Sequence, residues 1–272
     1  DKVIYAVPGV PYEMKEMVNG TIIADLTARS GQSAVIRSRV LRTWGTSESA
    51  LAEQLADRID QLDAAGNPTL AFLASGVEGL KVRVTAKAPN EAEALTILDA
   101  EEAVLRPILG DIVFGLDDQN MEAVVISMLA ERSLTVAVAE SLTGGYVSGR
   151  LCAVPGASRV FQGGVVAYQP RIKFELLGLA EGPVVTEAAA LAMAHGARRE
   201  LKADIGLATT GVAGPDESEG KPVGTVCLAV AGSMGERAVT VKLPGDRERI
   251  RQFSTITLLD LLRRELIEGE LA

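Results

Sequence analysis

A short apolar run, Thr135-Val136-Ala137-Val138-Ala139, breaks into Glu140-Ser141-Leu142-Thr143-Gly144-Gly145. The run reads as a buried strand, and the residues after it read as the opening of a helix. A helix that opens on two glycines gives up about 1 kcal/mol of propensity for each. A fold accepts that more readily where a ligand or another backbone must come close. A serine at a strand-to-helix turn can be held exposed, with N–H groups of the helix start aimed at whatever binds beside it. That arrangement suits a nucleophile with an oxyanion hole, and it equally suits a phosphate cradle. The plainer alternative makes Ser141 an N-cap.

A serine nucleophile needs a base. The chain has one histidine, His195, in the middle of a predicted helix over residues 187–201, where a helix-face or packing role fits best. A lysine with a depressed pKa is the other option. Of Lys173, Lys202, Lys221 and Lys242, the first stands out. It follows a strand read as ending at Tyr168 and precedes Leu176-Leu177-Gly178, and a strand end is a rigid place from which to aim a side chain. The competing reading of Lys173 is an exposed lysine in a first helical turn. Residues 209–225 are too long and too rich in Gly and Pro for a plain hairpin, and such loops often form ligand sites or lids. Pro244-Gly245-Asp246-Arg247 combines a turn, a helix cap and an arginine suited to a phosphate or carboxylate.

Composition narrows the classes. Hydrophobic residues make up 47% and charged residues 23% of 272, as in an ordinary core-forming chain. A net charge of -9 argues against broad contact with a phosphate backbone, so direct nucleic-acid binding is not expected. No apolar run approaches the roughly 18 residues of a membrane span, and nothing at the N-terminus reads as a secretory leader, so a cytoplasmic location and no membrane partner are expected. The chain opens on Asp1 rather than Met, as a fragment or processed product would. One histidine and no Cys-x-x-Cys leave no multi-histidine metal site, and no cofactor is expected. Cys152 and Cys227 both sit in apolar stretches and read as buried thiols.

The pattern along the chain predicts an α/β protein in two parts. Residues 1–32 read as a remnant or linker, with a turn over 7–11 and one short helix over 12–18. Residues 33–115 read as a small two-layer α+β domain of order βαββαβ. Its signals are a strand over 35–41, a helix capped by Thr46 carrying Leu51, Leu55, Ile59 and Leu62, and strands over 69–74 and 80–85. A helix opened by an Asn90/Glu93 capping box follows, carrying Leu95, Leu98 and Leu105, and then a strand over 112–114. Gly76-Val77-Glu78-Gly79 matches the GxxG of RNA-binding KH domains by letter. It joins two strands here and carries a glutamate that would repel phosphate, so it reads as a hairpin loop. Residues 118–272 read as an α/β layered domain. Met121, Val124, Val125, Met128 and Leu129 mark its first helix, Thr186 opens an Ala-rich one, and Asp246 starts a last one carrying Ile250, Phe253, Ile256 and Leu259.

Taken together, these motifs resemble the CinA (competence-damage-inducible) family. The matching strings are Ala139 to Gly145, Pro155-Gly156-Ala157-Ser158, Gly164 to Tyr168 with Lys173 and Leu176-Leu177-Gly178, Gly211-Val212-Ala213-Gly214-Pro215, Lys221-Pro222-Val223-Gly224-Thr225, and Pro244-Gly245-Asp246-Arg247. They come in family order over roughly residues 118 to 265. The resemblance implies a C-terminal nicotinamide mononucleotide amidohydrolase domain, a KH-like middle domain, and the end of an N-terminal domain similar to molybdopterin-binding folds. It implies Ser141 as nucleophile, Lys173 as general base and Tyr168 as the residue orienting the pair or the leaving ammonia. Thr143, Gly144, Gly145, Thr210 and Gly211 would line the site, Arg247 would help bind a pyridine nucleotide, and the protein would be a homodimer. A scaffold in DNA uptake or repair is the non-enzymatic alternative. Two departures stand out. Leu142 replaces a frequent Cys, and Glu217-Ser218-Glu219 replaces a Gly-Gly-Ser.

Overall fold

The computed structural model describes residues 2–31, 34–74, 76–233 and 235–269. In chain order the elements are α1 (Pro11–Met17), a π-helical turn (Val18–Ile22), α2 (Ile23–Ser30), β1 (Val35–Thr43), α3 (Glu48–Gln54), α4 (Ala56–Ala65), β2 (Thr69–Ala74), β3 (Leu80–Ala88), α5 (Glu91–Leu109) and β4 (Val113–Leu116). Then come α6 (Met121–Glu131), β5 (Val136–Glu140), α7 (Tyr146–Cys152), β6 (Phe161–Val166), α8 (Pro170–Glu175), α9 (Glu187–Glu200), β7 (Ile205–Gly211), β8 (Thr225–Ala231), β9 (Glu236–Lys242) and α10 (Arg247–Glu268). Strands β1–β4 form one sheet in the order β2-β3-β1-β4, with β1 and β4 antiparallel, and β5–β9 form a second in the order β6-β5-β7-β8-β9. The fold is mixed α/β, with a KH-like part preceding a five-stranded α/β part. No helix among the described residues is long and apolar enough to cross a membrane.

The chain packs as two compact units. One comprises residues 1–39, 56–71 and 83–105; the other comprises 40–55, 72–82 and 106–272. In the first, Val84, Ala86, Ala94 and Leu98 are buried. The capping box of α5 forms as its letters predict: Asn90 Oδ1 accepts from Glu93 N at 3.0 Å, and Asn90 Nδ2 donates to Glu93 Oε1 at 2.7 Å. Leu95 faces solvent at 40% exposure, so the inward stripe is narrower than the periodicity implied. Helical structure over residues 11–30 is longer than the expected single helix over 12–18. The chain continues through Asn19 and Gly20 in the π-helical turn Val18–Ile22.

In the second unit, Ser47 rather than Thr46 caps α3, because it is the Ser47 hydroxyl that accepts from Ala50 N, at 3.2 Å. The Gly76–Glu78 turn joins β2 and β3 as a hairpin loop. Its Glu78 carboxylate accepts from Arg42 and Arg150, each at 3.0 Å.

The five-stranded sheet has two unlike faces. Along β5, β7 and β8, Val136, Val138, Ile205, Leu207, Val226, Leu228 and Val230 point to one side and pack with α6, α7 and α10. Ala137, Ala139, Ala208, Cys227, Ala229 and Ala231 point to the other and pack with Ala190, Met193, Ala194 and Ala197 of α9. The period-2 alternation of large and small residues therefore sets two helix layers at different depths. The small-residue side lets α9 come close. A Cβ added at Gly206 would lie 1.9 Å from the Ala194 carbonyl oxygen. Cys227 is buried in this layer, which pushes its thiol pKa up, whereas Cys152 ends α7 and is exposed, contrary to the expectation of two buried thiols.

Gly206→Ala should therefore destabilise the protein by roughly 2 kcal/mol or more, because a backbone carbonyl must move. Gly149→Ala, within α7 where the added Cβ meets nothing within 4 Å, should be neutral or stabilising by up to about 1 kcal/mol. Urea denaturation of the two variants checks the pair.

Candidate active site

The strand order places the site. β5 lies between β6 and β7 and runs parallel to both. The chain leaves β5 toward β6 on one side and later returns to β7 on the other, so the order reverses at β5. In open α/β sheets, ligands bind in the crevice outside the carboxyl ends of the strands at such a reversal. Ser141 follows β5 there, with its N–H donating to Thr209 O of β7 at 3.0 Å.

The turn after β5 is organised by a residue that the sequence reading passed over. Glu140 is fully buried. Its carboxylate accepts from Gly145 N at 2.9 Å, Val147 N at 3.1 Å, Ser148 N at 2.8 Å and Ser148 Oγ at 2.7 Å. Three of these donors are N–H groups at the start of α7, which a carboxylate stabilises both by hydrogen bonding and through the helix dipole, and the fourth is the Ser148 hydroxyl. Ser141 is consequently not an N-cap. Gly145, at φ +103°, holds that position, and the Ser141 hydroxyl makes no hydrogen bond to any described residue. The acidic residue ahead of a helix start was a visible signal, but its spacing matches no standard capping box.

Arg251 of α10 grips the same turn from outside, donating from Nε to Leu142 O at 2.9 Å and from Nη2 to Thr143 O at 3.0 Å. Its guanidinium lies 4.1 Å from the centre of the Tyr146 ring. In a trans peptide the N–H opposes the C=O, so the Thr143 N–H points away from Arg251. Neither that N–H nor the Leu142 N–H has an acceptor among the described residues.

A cavity of about 310 Å³ opens beside this turn, its wall including Ser141, Tyr168, Lys173, Thr210, Glu219 and Arg247. Gly211 also lines it, so six of the nine predicted residues meet there. The other three lie behind the wall. Thr143 is fully buried with Oγ1 2.7 Å from Thr209 Oγ1, Gly144 sits under Arg251, and Gly145 faces a separate cavity with Tyr146 and Arg150. His195 is not on the wall; its Nε2 lies 2.5 Å from Glu236 Oε2 on the surface. Among the described residues, no group of three or more His, Cys, Asp or Glu is placed to hold a metal ion.

Lys173 is 1% exposed, one of the largest fully buried side chains, and hydrogen-bonds to no described residue. It lies within α8, two residues before that helix ends, while the preceding strand stops at Val166 rather than Tyr168. It is neither on a strand end nor the exposed lysine of the competing reading. Burial pushes its pKa down, and the nearby Glu219 carboxylate opposes that in part. Tyr168 is exposed, and its hydroxyl accepts from Arg247 Nη2 at 2.7 Å, while Arg247 Nη1 donates to Gly214 O at 2.6 Å. Arg247 has no carboxylate in ion-pair range among the described residues, so its charge is open to an anionic ligand.

Residues 118–266 match the CinA C-terminal domain, and residues 38–115 match the KH domain of damage-inducible protein CinA. A CinA-like protein of Frankia casuarinae is 49% identical over 269 residues, covering 97% of this chain and 62% of that protein. The chain belongs to the CinA family. A CinA-like protein of Prochlorococcus marinus is 43% identical over 270 residues, covering 96% of this chain and again 62% of the relative. The chain thus spans a little under two thirds of the length of these CinA relatives. Among solved structures, the competence/damage inducible protein CihA from Agrobacterium tumefaciens aligns at TM-score 0.51 and 33% identity, over 53% of this chain and 92% of that one. A CinA superfamily protein from Klebsiella pneumoniae aligns at TM-score 0.53 and 29% identity, over 55% and 99%.

Two stability tests follow. Glu140→Ala leaves four donors unmet and should cost about 3 kcal/mol or more. Lys173→Met should make the protein more stable at neutral pH. With the folded pKa of Lys173 below the unfolded one, the unfolded chain binds the extra proton in between, and stability rises with pH across that window. The advantage of Lys173→Met should therefore shrink toward pH 10, as denaturation at several pH values will show.

Proposed function

We propose that this chain hydrolyses the carboxamide of nicotinamide mononucleotide to nicotinate mononucleotide and ammonia, with Ser141 as nucleophile and Lys173 as base. The observation that carries the reading is the meeting, on one cavity wall, of a serine hydroxyl freed from capping and a buried lysine without a hydrogen-bond partner among the described residues. The substrate comes from the likeness to the CinA C-terminal domain, with which this deamidation is associated.

A buried lysine with a lowered pKa can be neutral near pH 7 and accept a proton. Lys173 Nζ takes the Ser141 hydroxyl proton as Oγ attacks the carboxamide carbon. The two groups are not hydrogen-bonded in the free site, and such contacts often tighten only with substrate bound. The tetrahedral oxyanion accepts from the free N–H groups of Leu142 and Thr143, the second aimed by the Arg251 bond to Leu142 O and the first by the Gly144 N–H bond to Ser141 O. Lys173 then returns the proton to the leaving nitrogen, ammonia departs and an acyl-enzyme remains. Water, deprotonated by Lys173, cleaves that ester and regenerates Ser141. Arg247 takes the phosphate, with Tyr168 steering its guanidinium.

Ammonia release from nicotinamide mononucleotide tests this. Ser141→Ala and Lys173→Ala should each lower kcat at least ~10³-fold, and the double variant should be little worse than either, because the two act as one unit. Lys173→Arg should not restore turnover, since a guanidinium does not release a proton near neutral pH. Near-normal turnover in Lys173→Ala would remove the base from this scheme.

A further inference from the structure

Ser218 and Lys221 exchange backbone hydrogen bonds at 3.2 and 2.8 Å, closing a two-residue turn over Glu219 and Gly220. Both central residues have positive φ, +52° and +65°, the pattern of a type I′ turn. The first position of that turn ordinarily takes Asn, Asp or Gly, and a long side chain there is strained. The Glu219 side chain is used. Its carboxylate crosses to residues 184 and 185, accepting from Val184 N at 3.1 and 3.0 Å and from Val185 N at 2.9 Å. Val184 O in turn accepts from Thr210 Oγ1 at 2.7 Å, so the same peptide segment is pinned from both sides. Glu219, Val184, Val185 and Thr210 all line the cavity that holds Ser141 and Lys173.

We infer that Glu219 is a specificity residue of this site: its carboxylate, clamped to the cavity wall, selects substrates whose amide-bearing ring is positively charged. The inference rests on the deamidase reading and deepens it. Among the described residues the wall carries Arg247, a cation with no carboxylate in ion-pair range, which suits a phosphate, and two carboxylates, Asp216 and Glu219. Of these, Glu219 acts through space on Lys173, where the reacting amide must sit. The N–H groups of residues 184 and 185 fix its position without removing its charge. A pyridinium substrate therefore meets a negative wall beside Lys173 and a positive group at Arg247, while a neutral ring gains only from the latter. Glu219 also opposes the effect of burial on Lys173, so removing its charge should move the acid limb of activity to lower pH. The remaining charged groups of α8, Arg171 and Glu175, pair with each other at 2.5 Å in solvent.

The test compares nicotinamide mononucleotide with its reduced 1,4-dihydro form, which keeps the phosphate and carboxamide but has a neutral ring. Glu219→Gln retains an acceptor for the Val184 and Val185 N–H groups and loses the charge. Binding is measured by calorimetry in a Ser141→Ala background, and turnover with pH in the native background. Glu219→Gln should weaken binding of the cationic form about three- to tenfold and leave the neutral form unchanged. It should also shift the acid limb of kcat/KM downward in pH. Equal losses for both ligands would make Glu219 a structural clamp only and overturn the inference, as would no change in either or failure of both to bind. If the cation preference depends on Glu219 but no ammonia is released by the native chain, the specificity stands and the deamidase reading falls. If ammonia is released and the preference ignores Glu219, the reverse holds.

Discussion

Four hydrogen bonds converge on one buried carboxylate, that of Glu140. A carboxylate removed from water is costly unless its lone pairs are met, and here the start of α7 meets them. The exchange is reciprocal: the helix needs an acceptor for its first N–H groups, and the carboxylate needs donors. The geometry it imposes reaches the whole site. Capping from Glu140 lets the chain between strand and helix spread into a turn rather than close directly into a helix. Ser141 then stands on the cavity wall, and its hydroxyl and the Leu142 and Thr143 N–H groups have no partner among the described residues. Arg251 completes the turn by taking the two carbonyls on its far side.

The second constraint is the depth of the α9 layer. A sheet face of alanines lets an Ala-rich helix lie close, and that closeness is what makes Gly206 necessary. The opposite face carries valine, leucine and isoleucine and packs with α6, α7 and α10. The Ser141 turn leads from the fully buried strand β5 into α7, and Arg251 reaches it from α10. Rigid elements on both sides limit the drift of the Ser141 side chain.

Lys173 shows how environment rather than residue type tunes an amine. Nothing in its neighbours along the chain, Ile172 and Phe174, distinguishes a buried lysine from one at a helix surface. Burial disfavours its charge and Glu219 favours it, and the balance between them sets the pH range in which the amine can accept a proton. The same carboxylate holds the segment before α9 in place, so charge and architecture at the cavity mouth depend on one side chain.

Much of the fold was legible in the letters. The βαββαβ order, the Asn90/Glu93 box, the Thr186 and Asp246 caps and the alternation along β5, β7 and β8 all act within a few residues, where local sterics and hydrogen bonding decide. The Ser-x-Thr-Gly-Gly string was visible as a candidate for the same reason, unusual residues at an element boundary; Lys173 was singled out from a strand end that the structure places two residues earlier, and its burial within α8 was not legible. The sequence could not show that Ser141 is free of capping, because that depends on Glu140 folding back across the turn. Nor could it separate Gly211 and Thr210, which face the cavity, from Thr143, which is fully buried behind it against Thr209. Arg251 and Glu219 were hidden because their partners lie about 110 and 35 residues away. The sequence by itself determined which segments could be strand, helix or turn, because those choices rest on nearest-neighbour energetics. Only the tertiary structure decided that β5 is where the strand order reverses, and so which of the chain's serines, lysines and arginines share one cavity, because strand order is settled by packing between segments far apart in the chain.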